Sequence, residues 1–106
     1  MSFIGCRSSG LITADTLVHT GRCKLVSIHA TNLHATEICT VVVYDNTAGS
    51  GKVVAKMRLT STGYDIGGGA AGGVDNWEFD MHGVICHNGL YVDVTDGTPN
   101  ITIEYA

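Results

Sequence analysis

The sequence predicts an all-β fold, an antiparallel β-sandwich of jelly-roll type with about eight short strands. Helical periodicity is absent, short runs rich in β-branched and aromatic residues recur, and clusters of Gly, Asn, Asp and Thr separate these runs. With 106 residues, the chain has the length of one domain, which we assign to residues 1–106.

The predicted strands show a period of two. Polar and apolar residues alternate in several of them, as Ile101 and Ile103 do with Thr102 and Glu104. One apolar face for each strand is typical of two sheets that pack face to face. The predicted strands are Thr16–His19, Cys23–Ala30, Glu37–Tyr44, Lys52–Leu59, Asn76–Met81, Val84–His87, Leu90–Val94 and Ile101–Tyr105.

The dipeptide Asn88-Gly89 predicts a two-residue hairpin turn between two of these strands. Both central residues of a type I′ turn need positive φ, which Asn and Gly adopt more readily than other residues. In this register Ile85 pairs with Val92 on a covered face. Tyr91 and Asp93 then lie on the other face, which we expect to be only partly solvated and to meet another surface.

Three connections are predicted between the strands. Residues 45–51 form a loop, and Pro99 lies in the turn before the last strand, where its missing N–H is not needed. Residues 66–74 have almost no side chains for packing, so we expect them to be ordered only against a neighbouring molecule. Tyr64, ahead of this segment, is the aromatic residue that we expect to be most exposed.

The composition is poor in charge. Charged residues make up 15% of the chain, the net charge is −4 and the mean hydropathy is +0.19. Such a surface is typically covered in part by neighbouring subunits. The basic residues form no long run, which argues against direct binding of nucleic acid, and no apolar run has the length of a membrane span. The N-terminus lacks the pattern of a secretory signal, so we expect no export.

Two glycine motifs resemble nucleotide-binding loops but lack the required context. Gly67, Gly69 and Gly72 match GxGxxG, yet a predicted strand follows instead of the helix that would receive a pyrophosphate. Residues 49–52 read GSGK, and Val53 then replaces the metal-binding hydroxyl. We therefore expect no cofactor.

No catalytic or metal-ligating residues are predicted, and we expect that the protein is not an enzyme. The histidines match no zinc spacing, and the adjacent Cys86 and His87 point to opposite faces of a strand. Glu78 and Asp80 share a face, but glycosidase chemistry would also need a deep cleft. A small metal-dependent enzyme is the weakest alternative, because three ligands would have to converge.

The four cysteines, Cys6, Cys23, Cys39 and Cys86, are widely separated and form no CxxC pair. We interpret them as buried free thiols. Their even number leaves a disulfide open.

Trp77 could belong to the core or to a sugar-binding platform. It is in phase with Phe79 and Met81 along one predicted strand, so we expect its ring in the core. A carbohydrate-binding module would instead present at least two aromatic side chains on one exposed face.

Four segments resemble virion proteins. They are GLITADTLVHTGRCKLVSIHATN, TVVVYDNTAGSGKVVAKMRL, FDMHGVICHNGLYVDV and the terminal ITIEYA. Together they are similar to small virion proteins of tailed bacteriophages, notably marine short-tailed ones, and the most recognisable part is Phe79, Gly83 and residues 88–92. This resemblance implies β-sandwich subunits on capsids or in tails and fibres, and it carries over no catalytic residues.

We therefore expect a bacteriophage virion structural protein, most consistent with a capsid decoration or cement protein that stabilises the coat lattice and forms homo-oligomers. The expected partners are the major capsid protein or other virion proteins, with no contact to nucleic acid or membrane. The expected location is the virion, assembled in the host cytoplasm. Two alternatives stay open: a tail, knob or fibre subunit, and a small carbohydrate-binding adsorption module.

Overall fold

The computed structural model describes residues 5–62 and 75–106, which form two antiparallel four-stranded sheets packed face to face. The predicted all-β sandwich is confirmed. No helix capable of crossing a membrane occurs within these two ranges. The strands are β1 (Arg7–Ser8), β2 (Thr16–Thr20), β3 (Cys23–Asn32), β4 (Cys39–Asp45), β5 (Lys52–Leu59), β6 (Asp75–Cys86), β7 (Gly89–Thr95) and β8 (Pro99–Tyr105).

The strand order is that of a jelly roll. Sheet 1 has the order β1-β8-β3-β6, and sheet 2 has the order β2-β7-β4-β5. Among the described strands, only β4 and β5 are both consecutive in the chain and in the same sheet. The jelly-roll prediction is therefore confirmed, and most connections are corners between the sheets. Tyr64 and residues 66–74, for which exposure and ordering were predicted, lie outside the described residues.

Strand β6 is longer than predicted. The two separate strands expected at Asn76–Met81 and Val84–His87 form one continuous strand, Asp75–Cys86. His82 and Gly83 have positive φ values of 53° and 81° in its middle, and the register with β3 shifts at this point. The left-handed residues produce a bulge, which bends the strand without ending it. Strand β1 was not predicted, because two residues are too few to show alternation.

The predicted hairpin at Asn88-Gly89 is wrong. Strand β6 pairs with β3 in sheet 1, whereas β7 pairs with β2 and β4 in sheet 2. Ile85 therefore does not pair with Val92, and it is 39% exposed while Val92 is fully buried. Neither Asn88 nor Gly89 is among the residues with positive φ. This segment is a corner between the sheets and not a type I′ turn.

The carboxylate of Asp45 holds this corner. Its Oδ1 accepts the N–H groups of Asn88 at 2.8 Å and Gly89 at 3.4 Å, and its Oδ2 accepts the N–H of His87 at 3.0 Å. The bond from Asn88, followed by that from His87, lowers the pKa of Asp45. Since Asp45 ends β4 and precedes His87 by 42 residues, a local sequence pattern does not reveal this interaction.

The corner between β7 and β8 has the two positive φ values that were predicted for Asn88-Gly89. Asp96 and Gly97 have φ values of 60° and 74°. A Cβ atom on Gly97 would lie 2.7 Å from the Cβ of Cys39 and 2.8 Å from the Oδ1 of Asn32, so only glycine fits. The turn expected ahead of Pro99 is confirmed, and Pro99 is the first residue of β8.

Asn32 is fully buried and joins several segments at this end of the sandwich. Its Nδ2 donates to the carbonyl oxygens of Glu37, Leu59 and Thr60, and its Oδ1 accepts the N–H groups of His34 and Thr98. The predicted strand Glu37–Tyr44 begins only at Cys39, since the carbonyl of Glu37 turns toward Asn32.

The core lies between the two sheets and consists of the inward side chains of both. All four cysteines are free; Cys23, Cys39 and Cys86 are buried as expected, and Cys6 is exposed. Burial raises the pKa values of the buried thiols, that of Cys86 to about 11. The largest fully buried apolar side chains are Leu25, Ile28, Leu59, Leu90, Ile101, Ile103, Val41, Val43 and Val92.

Candidate functional site

The outer face of sheet 1 carries a polar cluster around His29. Ile28 and Ala30 of β3 are buried, so His29 between them points outward. The strand register places Glu78 of β6 on one side of His29 and Thr102 of β8 on the other.

The imidazole of His29 bridges two carboxylates. Its Nδ1 lies 3.0 Å from Oε1 of Glu78, and its Nε2 lies 3.2 Å from Oε1 of Glu104. Ser27 Oγ donates a further hydrogen bond of 3.0 Å to Glu104. Carboxylates only accept hydrogen bonds, so the imidazolium form of His29 has a donor for each of them. The cluster thereby connects β6, β3 and β8.

The His29 cluster does not have the geometry of a metal site. The two ring nitrogens face different carboxylates, so the acidic groups do not converge on one point. Over residues 5–62 and 75–106, no three His, Cys, Asp or Glu side chains are grouped so that they could hold a metal ion.

Ser27, His29 and Glu78 also have the order of a nucleophile, a base and an orienting acid. Ser27 Oγ lies 3.4 Å from Nε2 of His29. The hydroxyl, however, donates to Glu104 at 3.0 Å, so its proton is directed at a carboxylate and not at His29. The sequence does not predict this cluster, because Glu104 follows His29 by 75 residues and only the register of β3 and β8 brings the two together.

A cleft of about 310 Å³ lies beside His29. We call it the Trp77 cleft. Its walls combine apolar and polar residues, namely Leu11, His29, Ala30, Thr31, Trp77, Glu78, Asn100 and Thr102. It covers two neighbouring cross-strand rows of sheet 1, one through His29 and one through Thr31.

The prediction that Trp77 lies in the core is wrong. The residue is 37% exposed. Trp77 and Phe79 nevertheless lie on the same side of β6, as predicted. Phe79 packs against the core, and the two rings contact edge to face, with ring centroids 5.5 Å apart and planes at 84°. Strand β6 is an edge strand, and this position keeps part of the indole accessible. Residue parity predicted the side of the strand but not the degree of burial.

The outer face of sheet 2 carries an apolar row that crosses all four strands. Leu17 pairs with Tyr91, Tyr91 pairs with Tyr44, and Tyr44 pairs with Val53. Paired residues share one face of a sheet. Leu17 and Val53 are 43% and 48% exposed, and the tyrosines are half-buried. We call these four residues the tyrosine row. The predicted position of Tyr91 on a partly solvated face is confirmed.

The loop between β4 and β5 lies against Tyr91, inside the tyrosine row. A Cβ atom on Gly49 would lie 3.3 Å from Cε1 of Tyr91 and 3.1 Å from Oδ2 of Asp93. Burial, together with the nearby carboxylate of Asp15, raises the pKa of Asp93. Asp93 and Lys56, the latter on the edge strand β5, both pair with Val42. The tyrosine row therefore has one acidic and one basic side chain at its border.

No protein-family model matches the chain, and no curated protein matches it.

Proposed function

We propose that the protein is a structural subunit of a bacteriophage virion, a decoration protein that docks on the coat through the outer face of sheet 2. The observation that carries this proposal is the tyrosine row, which places two large aliphatic side chains in water, 43% and 48% exposed. The row is continuous across the sheet, and a continuous apolar strip on a surface is typical of a contact with another protein.

The borders of the row also suit a protein partner. Asp93 and Lys56 flank Val42 on the same face, so the apolar centre has charged groups of both signs at its edge. An apolar centre with a polar rim is the usual anatomy of an interface. We expect a coat surface with an apolar strip and a basic group placed opposite Asp93.

Each docked subunit would gain a modest free energy. Full burial of one Leu or Val side chain stabilises by about 1.5–3 kcal/mol, and the row would bury only the part still exposed. Repetition over a lattice makes such contacts effective, because a subunit that bridges two coat proteins is held at a high effective concentration. The sequence resemblance to virion proteins supports this role.

The first test is mass spectrometry of purified virions of the phage that encodes the chain. A copy number close to that of the coat protein supports decoration, and a much smaller number supports the tail, knob or fibre alternative. Absence from the virion contradicts both.

The second test uses reconstitution on particles that lack the protein. Leu17→Lys should lower occupancy by at least about tenfold, because it places a charge in the apolar row. Ile85→Lys is the matched control, since Ile85 is similarly exposed at 39% but lies on sheet 1. Equal occupancy of the two variants would show that sheet 2 is not the docking face.

A further inference from the structure

We propose that Cys23 and Cys86 form a modification site, a pair of reduced thiols that a small external disulfide such as oxidised glutathione converts to an intramolecular disulfide between β3 and β6. The inference does not depend on the virion role, because both thiols belong to one chain.

The strand register places the two cysteines directly opposite each other. Cys23 begins β3, Cys86 ends β6, and the two are Cα partners in this antiparallel pair. Directly opposed residues in such a pair have Cα atoms about 4.5–5.5 Å apart. A disulfide usually joins Cα atoms that are about 4.4–6.8 Å apart. The register shift of the two strands lies beyond Leu25, so the bond needs no large movement of the backbone at Cys23.

Both side chains point into the core. Cys23 is 5% exposed and Cys86 is fully buried, and the two thiols form a hydrogen bond with each other. Paired residues share one face of a sheet, so the two sulfur atoms meet on the same side of sheet 1. The other two cysteines have different surroundings, since Cys39 pairs with Leu59 in sheet 2 and Cys6 is exposed.

The reaction consists of two exchange steps. The thiolate of Cys23 attacks one sulfur of oxidised glutathione, forms a mixed disulfide and releases the first glutathione as a thiolate. The thiolate of Cys86 then attacks the Cys23 sulfur, closes the protein disulfide and releases the second glutathione. The protein thereby loses two electrons to the glutathione disulfide, and the protons of the two cysteine thiols end on the two released glutathione molecules.

Burial makes the first step slow. It raises the pKa values of both thiols, that of Cys86 to about 11, so that little thiolate is present at neutral pH. Both cysteines nevertheless lie at strand ends, which open locally at a lower free energy than strand centres do. We expect oxidised glutathione to reach Cys23, the less buried of the two, during such opening. Closing of the strand ends then places Cys86 against the mixed disulfide.

The crosslink would stabilise the folded chain. It closes a long loop that contains all of β4 and β5. Closing a long loop reduces the conformational entropy of the unfolded chain, and the native pairing of the two strands is kept. The oxidised protein should therefore unfold at a higher temperature than the reduced protein.

Oxidation of the folded protein tests the pairing. The wild type is incubated with oxidised glutathione at mildly alkaline pH, free thiols are blocked, and a tryptic digest is examined by mass spectrometry without reduction. Trypsin cleaves after Arg22 and Lys24, and no Lys or Arg follows Arg58, so the four cysteines lie in separate peptides. We expect the dipeptide Cys23-Lys24 to be attached to the peptide of residues 59–106. No such link after the exposed thiol of the chain has fully reacted, or a link that forms only in denaturant, would overturn the proposal.

Variants and thermal unfolding test the specificity of the link. Cys39→Ala is the matched control, because it removes a buried thiol that pairs with Leu59 and should leave the link intact. Cys23→Ala should abolish the link and leave Cys86 as a free thiol. Oxidation should raise the melting temperature of the wild type by at least about 8 °C, reversibly on reduction, and should not raise that of Cys23→Ala. A link that requires Cys39, or an oxidised wild type that melts no higher than the reduced protein, would contradict the assignment.

Discussion

At the scale of single residues, Asp45 shows how one carboxylate determines a corner between sheets. It is 5% exposed and accepts three backbone N–H groups. Asp45→Asn would turn a donor toward the N–H of His87 and remove the charge from the remaining bonds. We expect a loss of about 1–2 kcal/mol at neutral pH, measured by chemical denaturation. Asp96→Asn, at an exposed position, is the control and should change little.

The effect of Asp45 should depend on pH in one direction. The folded state lowers its pKa, so the stabilisation is complete above the ordinary aspartate value of about 3.9 and is lost as pH falls through the folded value. The wild type and Asp45→Asn should therefore converge in stability in acid. A difference that stayed constant in acid would show that the charge of Asp45 is not the cause.

Asp93 should have the opposite effect. Burial and the neighbouring Asp15 raise its pKa, so the charged form is disfavoured in the folded state. Stability is then reduced at pH values above the raised pKa and recovers as Asp93 takes up a proton. We expect Asp93→Asn to stabilise the isolated protein by about 0.5 kcal/mol at neutral pH, with a smaller gain in acid, in thermal or chemical unfolding. A destabilised variant at neutral pH would contradict this account.

At the scale of elements, the two short corners show what a dipeptide can and cannot predict. Asn88-Gly89 and Asp96-Gly97 both match the signal for a tight turn, yet only the second has two positive φ values, and both connect different sheets. The dipeptide predicts a reversal of the chain. It does not specify whether the next strand pairs with the previous one, because that depends on distant groups such as Asp45.

Gly97 provides the prediction at this scale. Gly97→Ala combines a positive φ with a clash of 2.7 Å against Cys39, whereas Gly10→Ala has a similar φ of 72° and no atom within 4 Å. We expect a loss of about 1 kcal/mol for Gly10→Ala from backbone strain alone, and a clearly larger loss for Gly97→Ala. Equilibrium unfolding of both variants measures the difference. Equal losses would show that the corner between β7 and β8 can move away from Cys39.

The strands themselves were largely predictable, and the candidate site was not. Alternation is a local property, so β5 was predicted with its observed bounds, Lys52–Leu59. The contacts of His29 need the register of three strands, and the exposure of Trp77 needs the knowledge that β6 is an edge strand. Neither is encoded within a single strand.

At the scale of the whole molecule, the jelly roll gives the two outer faces different characters. Sheet 1 presents the polar His29 cluster and the Trp77 cleft, and sheet 2 presents the apolar tyrosine row. Since the sheets lie back to back, a subunit attached through sheet 2 presents the cleft on its far side.

The bulge at His82 and Gly83 affects how copies of the protein associate at high concentration. Strand β6 has twelve residues and lies at one edge of sheet 1 among the described strands, and an edge strand is where another chain can add a strand. The two left-handed residues divide this edge into shorter straight parts of different direction. The edge strand of a second copy could align with only one of these parts at a time, which disfavours the growth of fibrils.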